Sequence, residues 1–278
     1  MKKSHSYILF LFILTIFLGS CNALKRVGED QQLLIENTIL VDGKKEKSET
    51  ITNLINQIPN NKLLSFPLRL HIYNLARPNR DSLFDAWLAS HPKKEKRLVK
   101  RYSKKQLNKL KQSSLDFNSW LKKTGEQPII IDTSKTNRTV KNLERFYFKN
   151  GWFNRTVKFQ IDSVGKKRGK IIYKIERNSP YIIDSISTKI ASKLIDSLYQ
   201  INQEKSLLKR GEQFKDIHYG NERDRLTEAF RNSGVFHFSQ DYISFENDTL
   251  LNGNIVNTEI QIENRQIRNE DSTARVPF

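Results

Sequence analysis

Cys21 is the residue whose position says most about chemistry in this chain. It is the only cysteine among 278 residues, and it directly follows Leu18, Gly19 and Ser20. Lys2, Lys3 and an almost wholly apolar run of eleven residues, 8–18, come before it. A basic start, an apolar core and small residues before a cleavage site follow the pattern of a secretory signal. The run is too short to cross a bilayer, which takes about 20 apolar residues. We therefore predict a signal peptide over residues 1–20.

The segment Leu18-Gly19-Ser20-Cys21 resembles the bacterial lipoprotein signal, in which the cysteine thiol is diacylated and the preceding bond is cut. An ordinary signal peptide is the alternative. The resemblance implies lipidation of Cys21 by fatty acyl chains such as palmitate. It also implies a place in the cell envelope, with an outer-membrane anchor and periplasmic domains. Two acyl chains anchor a protein firmly, whereas one chain binds reversibly. With no second cysteine there is no disulfide, so stability must come from buried apolar surface.

The remaining reactive residue types do not form a recognisable catalytic or metal site. His71, His91, His218 and His237 have no i, i+4 partner, and no cysteine joins them in a zinc pattern. There is no Gly-x-Ser-x-Gly nucleophile motif. The run 165–170 is superficially similar to a phosphate loop but lacks its Gly-Lys-Ser/Thr end. We predict that the chain is not an enzyme and has no catalytic residue, metal or cofactor.

A strongly basic segment lies in the first half of the chain. The net charge is +18, and ten Lys or Arg residues stand against Glu95 alone between Lys93 and Lys111. Ser103 and Gln106 have the spacing of a capping box, which predicts a helix start. Two interpretations stay open: a solvated helix, or a surface that touches lipid phosphates or acidic partners. An exported protein rarely meets nucleic acid, so we exclude that partner. The candidate basic surface comprises Lys93, Lys94, Lys96, Arg97, Lys100, Arg101, Lys104 and Lys105.

The second half of the chain shows a β-α-α-β-β order of elements. A β-branched run at 181–187 predicts a strand, and Ala191, Leu194, Ile195 and Leu198 fall at the spacing of one helix face. A second helix follows, with Leu226, Ala229, Phe230 and Ser233 at helical spacing, and Gly234 predicts its C-cap. Two strands are predicted at 236–245 and 255–263, separated by turn-forming residues.

The first half repeats this order around a long insertion. A strand is predicted at 33–41, and Ile51, Leu54, Ile55 and Ile58 predict the first helix. Val140, Leu143 and Tyr147 predict the second, closed by Gly151, and two alternating strands follow around residues 157–161 and 171–175. Gly151 and Gly234 are 83 residues apart, and the same shift aligns Leu143 with Leu226 and Phe153 with Phe236.

This order, together with Gly211-x-x-Phe214 and Arg225-Leu226-(x)7-Gly234-x-Phe236, resembles a POTRA domain. These are the periplasmic modules of outer-membrane assembly and translocation proteins. In the first half, three segments resemble the lipoprotein form of the translocation and assembly module found in Bacteroidetes: Pro59-Asn60-Asn61-Lys62, Leu70-His71-Ile72-Tyr73-Asn74-Leu75 and the segment from Trp120 to Pro128. The resemblance implies an α+β fold of tandem POTRA-like units, the first with a basic helical insertion.

The resemblance also predicts a domain map. Residues 21–32 are expected to be a linker, 33–179 the first unit with an insertion at about 78–127, and 180–265 the second unit. Residues 266–278 are expected to lead into a further unit or a β-barrel, because the family continues in this way. A barrel-less relative is the alternative. We expect the aromatic side chains of Tyr73, Trp87 and Trp120 to be core anchors.

A small sheet can act by offering an unpaired edge to an extended client chain. The candidate edges are the strand segments 155–161 and 238–245, and the first comprises Val157, Lys158, Phe159, Gln160 and Ile161. The alternative is that the edges are only protected by charge, to which Lys158 fits equally. Two main functions are carried forward: a lipid-anchored periplasmic scaffold that binds unfolded outer-membrane clients, and a lipoprotein that docks on anionic lipid or another complex. A hydrolase with an unrecognised site is the third and last alternative. A β-barrel protein or an inner-membrane translocation component is a further expected partner.

Overall fold

The computed structural model describes residues 23–78, 80–249, 253–268 and 273–278. Cys21 and the predicted signal peptide therefore lie outside the described residues, and lipidation stays a prediction. Within the described ranges, no helix combines the length and the apolar character needed to cross a bilayer.

The strands and helices alternate along the chain as follows. The strands are β1 (Leu33–Val41), β2 (Lys44–Glu46), β3 (Thr156–Ser163), β4 (Arg168–Glu176), β5 (Ile182–Ile190), β6 (Ile243–Asp248), β7 (Ile255–Ile262), β8 (Arg265–Arg268) and β9 (Thr273–Val276). The helices are α1 (Glu49–Thr52), α2 (Leu68–Leu75), α3 (Arg80–Ser90), α4 (Pro92–Arg101), α5 (Lys104–Thr124), α6 (Thr133–Lys149), α7 (Lys193–Asn202) and α8 (Asp216–Asn232). Two short 3₁₀ helices span Gln203–Lys205 and Gln240–Tyr242.

The two predicted copies build the same strand order. In the second copy, β5 pairs parallel with β7, and β6 pairs antiparallel with β7, giving the order β5-β7-β6. In the first, the order is β2-β1-β4-β3. There the Leu33 N–H donates to the Lys167 carbonyl at 2.9 Å and the Asp42 N–H donates to the Ile175 carbonyl at 2.8 Å, so β1 and β4 also run parallel. The predicted α+β class and the β-α-α-β-β order are confirmed.

The short strand β2 is an addition to the first copy that we did not predict. Asp42 and Gly43 form the two-residue turn between β1 and β2, with φ of 49° and 80°. Two positive φ values in succession define a type I′ turn, for which Asp-Gly is a favoured pair. The signal for this hairpin was therefore present in the sequence.

Strand alternation follows the sequence prediction closely in the two central strands. Side chains at 171, 173 and 175 of β4 are buried, and so are Val256, Thr258, Ile260 and Ile262 of β7. Because one face of each central strand is buried, a one-residue shift in its pairing would turn those side chains to solvent, so the register is specified along the strand.

Three predicted details are wrong. The first helix ends at Thr52 instead of continuing to Ile58, whose side chain is 67% exposed. Residues 236–242 are not a strand. The 3₁₀ helix comes before β6, and Phe238 is a fully buried core residue. On α7 the buried pair is Ile195 and Tyr199, while Leu194 is exposed.

The chain divides into two compact units that alternate along the sequence. Among the described residues, the first comprises 23–39, 55–139 and 159–173. One of its apolar clusters consists of Ala23, Val27, Leu33 and Leu70, with Leu24, Ile35 and Ile130 against it. Residues 23–32, expected to be a linker, therefore contribute packed side chains.

The second unit comprises residues 40–54, 140–158 and 174–278. Its apolar cluster is built from β5, α7, α8, β6 and β7 and the segments between them; the buried members are Ile183, Ile195, Tyr199, Leu208, Phe214, Tyr219, Leu226, Phe230, Phe238, Ile243, Val256, Ile260 and Ile262. Phe278 packs on Phe238 and Tyr242, with ring centroids 5.1 and 5.3 Å apart. Residues 265–268 and 273–276 thus pair as antiparallel strands and Phe278 is packed, while the domain boundaries themselves stay a prediction.

Within the second unit, the end of α6 is fastened to the start of the second copy. Gly151 has φ +85°, and an added Cβ would lie 2.6 Å from the Phe214 carbonyl oxygen. The Gly151 carbonyl accepts from the Tyr181 N–H at 2.8 Å, and Phe153 packs on Tyr181 and Phe214. Glycine is required here because both the backbone conformation and the close approach exclude a side chain.

Candidate functional site: sheet edges and a basic helical insertion

The strand β3 lies at the end of its sheet and pairs with β4 alone. Lys158 and Gln160 are exposed, Val157 is buried, and Phe159 and Ile161 are half-buried. An edge strand keeps one row of main-chain groups that no neighbour in its sheet pairs. The geometry therefore allows an extended chain to add beside β3, with Lys158 and Gln160 pointing outward. The use of these residues by a client stays a prediction.

The second sheet also ends in an edge strand, β6, which pairs with β7 alone. Only the last three residues of the predicted segment 238–245 belong to this strand. Glu246 and Asp248 are exposed, so this edge is acidic where β3 carries Lys158. The opposite edge, at β5, is partly covered: the Gly211 N–H donates to the Ile183 carbonyl at 2.7 Å and the Ile183 N–H donates to the Glu212 carbonyl at 2.9 Å.

The basic residues lie on two helices of the insertion, α4 and α5. Seven of the eight predicted side chains are exposed: Lys93, Lys94, Lys96, Arg97, Lys100, Arg101 and Lys105. The side chain of Lys104 is outside the part of the structure that is described. The predicted capping box is confirmed: the Gln106 N–H donates to Ser103 Oγ at 3.3 Å, and the Ser103 N–H donates to Gln106 Oε1 at 2.9 Å. The sequence thus placed the start of α5 correctly, and the charges are presented to solvent.

Two aromatic predictions in the insertion are wrong. Trp87 is exposed, stacks on His91 with centroids 5.4 Å apart and lies beneath Lys94 Nζ at 5.6 Å. Trp120 is also exposed, and its ring stacks on Phe117 with centroids 5.8 Å apart. Tyr73 is half-buried and carries the Arg26 guanidinium over its ring at 4.6 Å. Tryptophan as a residue type favours a core position, but Trp120 lies on α5, which packs through another of its faces.

Buried amide side chains form a polar network that we did not predict. Gln57 Nε2 donates to the Ile130 carbonyl, and Gln57 Oε1 accepts from the Asp132 N–H at 3.1 Å. Asn60 Nδ2 donates to the Gln127 carbonyl at 2.6 Å, and Asn60 Oδ1 accepts from the Ile129 N–H at 3.0 Å. Each amide donates to one backbone carbonyl and accepts from one backbone N–H, as a neighbouring strand would, so residues 57–60 are joined to residues 127–132. The polar run around Pro59 was the available signal.

The three quoted first-half segments meet in the first unit. Asn60 of the first segment binds Gln127 of the third. The Glu126 N–H donates to the Arg69 carbonyl at 2.9 Å, just before the second segment. An added Cβ at Gly125 would lie 2.4 Å from the Tyr73 nitrogen, so Gly125 is needed for close approach to α2. These residue types are therefore explained by packing and hydrogen bonding within the unit.

His71 is buried against Phe66 in the same unit, with ring centroids 4.4 Å apart and planes at 8°. Burial lowers the pKa of His71 below its ordinary value because the charged imidazolium loses its hydration. At neutral pH this ring acts as a stacked, uncharged side chain.

Among the described residues, no group of three or more His, Cys, Asp or Glu side chains could hold a metal ion.

No protein-family model and no curated protein matches this chain. Solved structures similar to it include the N-terminal domain of Omp85 from Thermosynechococcus elongatus, at 12% identity and a TM-score of 0.26, covering 49% of this chain and 55% of that one. POTRA1-2 of Omp85 from Anabaena matches at 8% identity and 0.31, covering 84% and 98%. BamA POTRA3-5 from Haemophilus influenzae matches at 9% identity and 0.28, covering 85% and 99%. The chain thus spans about half of the first structure, and scores this low do not bear on function.

Proposed function

We propose that this chain is a lipid-anchored periplasmic scaffold that assists outer-membrane protein assembly or translocation by binding extended client strands at sheet edges. The observation that carries the proposal is the position of β3 at the end of its sheet, with Lys158 and Gln160 exposed. Main-chain hydrogen bonds to an edge are tolerant of client sequence, which suits a protein that handles many unfolded clients. The resemblance of the sequence to POTRA domains and to the lipoprotein signal supports the same role.

Photo-crosslinking tests the edge directly. A photoreactive residue replaces Lys158 or Gln160 in the full chain, and an unfolded outer-membrane β-strand peptide is added. Lys141 is the matched control because it is exposed but lies on a helix, α6, and not on an edge strand of a sheet. We expect several-fold more crosslinked peptide at positions 158 and 160 than at 141. Equal yields at all three positions would contradict the proposal.

A second candidate function is docking on anionic lipid or another envelope complex through the insertion. It is favoured by the exposed Lys and Arg side chains of α4. Replacing Lys93, Lys94, Lys96, Arg97, Lys100 and Arg101 with glutamine should reduce salt-sensitive binding to vesicles containing phosphatidylglycerol. The control variant neutralises the exposed lysines Lys193, Lys205 and Lys209 of the second unit.

A further inference from the structure

The long insertion helix α5 exposes three large apolar side chains. Leu110, Phe117 and Trp120 are 52%, 60% and 53% exposed. At about 100° per residue, they fall within an arc of about 80° on the helix. Three exposed large apolar residues that form a stripe on one face of a helix need an explanation, whereas single exposed apolar residues do not.

The neighbouring side of α5 is occupied by the protein. Leu121 is buried, Lys111 Nζ donates to both carboxylate oxygens of Asp85 at 2.9 and 2.7 Å, and Asn118 exchanges hydrogen bonds with the backbone of Arg77. These three residues lie about 20° to 100° from Leu110, on the side away from Trp120. The packing face of α5 thus adjoins the stripe on the Leu110 side, and contacts on that face fix which side of the helix is exposed to solvent.

Exposed lysines border the stripe. Lys109 lies about 20° beyond Trp120 around the helix, and Lys105 and Lys123 lie about 60° beyond it. In the described part of the chain, none of these three forms an ion pair. The preceding helix α4 adds six exposed Lys or Arg side chains.

Apolar and aromatic side chains beside unpaired lysines are the arrangement of a helix that lies in a membrane interface. Trp and Phe enter the headgroup boundary, while lysines near the surface bind anionic lipid. An acidic protein segment would satisfy the lysines but would leave the apolar stripe in water. We propose that α5 docks on a bilayer of anionic phospholipid, with Leu110, Phe117 and Trp120 inserted at the interface. This proposal rests on the second candidate function and names the residues that would carry it.

Vesicle flotation of the full chain tests the docking. The ratio of binding to phosphatidylcholine vesicles with and without phosphatidylglycerol measures the part of the affinity that depends on anionic lipid. The test variant combines Leu110→Ser, Phe117→Ser and Trp120→Ser. The control combines Leu194→Ser, Ile201→Ser and Ile217→Ser, three exposed apolar residues of the second unit. We expect the test variant to lower this ratio at least about tenfold and the control to leave it unchanged.

Tryptophan quenching gives a second readout that does not depend on total binding. Trp87→Phe and Trp152→Phe leave Trp120 as the single tryptophan. Lipids brominated near the headgroup should quench its fluorescence in phosphatidylglycerol vesicles and much less in their absence. Absence of quenching, or equal flotation of the test and control variants, would overturn the insertion of the stripe.

The outcomes separate this inference from the candidate function on which it rests. If neutralising the α4 charges abolishes vesicle binding while the stripe variant binds normally, lipid docking stands and the stripe proposal fails. If the wild-type chain shows no preference for phosphatidylglycerol, both fail. Neither result affects crosslinking at Lys158, which tests the scaffold function.

Discussion

The two β-α-α-β-β copies reach the same strand order with different support before their second helix. In the second copy, α7 has ten residues and buries Ile195 and Tyr199. In the first, α1 has four residues and buries only Ile51. The polypeptide after α1 is held by the amides of Gln57 and Asn60, which bind backbone atoms about 70 residues away. An apolar helix face and a buried polar network are thus alternative ways to complete this kind of module.

These two kinds of support should respond differently to mutation. Apolar packing loses free energy in proportion to the side-chain volume that is removed. A buried amide network loses it because the main-chain groups left behind are unpaired. The four predictions below test the comparison.

The largest effect is expected in the apolar core of the second copy. Phe230 is fully buried and meets Phe238 edge-on, with centroids 4.9 Å apart. Phe230→Ala should lower the free energy of unfolding by about 3–5 kcal/mol. Urea denaturation followed by circular dichroism measures the change. Phe236→Ala is the control, since its ring is 79% exposed, and a comparable loss there would contradict the assignment of the core.

The equivalent glycines of the two copies should differ in their tolerance of alanine. Gly151 and Gly234 both have positive φ. A Cβ added at Gly151 would meet the Phe214 carbonyl oxygen, whereas a Cβ added at Gly234 would have no atom beyond its chain neighbours within 4 Å. Gly234→Ala should cost about 1 kcal/mol for the left-handed conformation. Gly151→Ala should cost at least about 1 kcal/mol more, because backbone must also shift. Matching urea midpoints for the two variants would show that the contact with Phe214 is unimportant.

The polar support of the first copy is tested at Gln57. Gln57→Ala leaves the Ile130 carbonyl and the Asp132 N–H without this partner and should destabilise the fold by about 2 kcal/mol. Gln112→Ala is a matched control, because its amide hydrogen bond to Asp116 is exposed. Its effect should stay within about 0.5 kcal/mol. If both variants unfold at the same urea concentration, the amide network does not support the first copy.

The smallest effect is a pH dependence specific to the first copy. His71 is buried, whereas His218 is half-buried and His237 is exposed. Because the pKa of His71 is lowered in the folded chain, the unfolded chain binds a proton at this ring at a pH where the folded chain does not. The contribution of His71 is therefore complete above its ordinary pKa of about 6.5 and is lost as the pH falls towards the lower, folded-state pKa.

His71→Phe keeps a ring against Phe66 and removes this titration. Unfolding midpoints measured from about pH 7.5 to 5.5 should then fall less steeply for the variant than for the wild type. His237→Gln is the control, and its profile should follow the wild type. An unchanged slope in His71→Phe would show that another group causes the pH dependence.

Much of the fold could be predicted because its signals are local. The alternation in β4 and β7, the capping box at Ser103 and the glycines at 151 and 234 each depend on a few neighbouring residues. The first-helix prediction failed for a related reason. Ile51, Leu54, Ile55 and Ile58 have helical spacing, but Pro59 and the amides of Gln57 and Asn60 favour an irregular segment once their distant partners are present.

The candidate sites were predictable to a different degree. The outward position of Lys158 and Gln160 follows from the two-residue period of a strand, and the structure shows those side chains exposed. The exposure of Trp87 and Trp120 did not follow from their type, because α3 and α5, on which they lie, could each have packed with either face. The second edge was placed too early because Phe238 looks like part of a strand and is instead a core residue.

The sequence alone determined the two-copy order, the central strands and the basic charge of the insertion, since periodicity, turn residues and charge are properties of neighbouring residues. The folded molecule decided which amides meet which carbonyl groups, which strands end each sheet and which face of α5 is exposed to water. These features depend on contacts between residues that are far apart in the sequence, such as Gln57 with Ile130 and Asn60 with Gln127. Such contacts leave no periodic trace in the chain, because each partner is selected by three-dimensional packing.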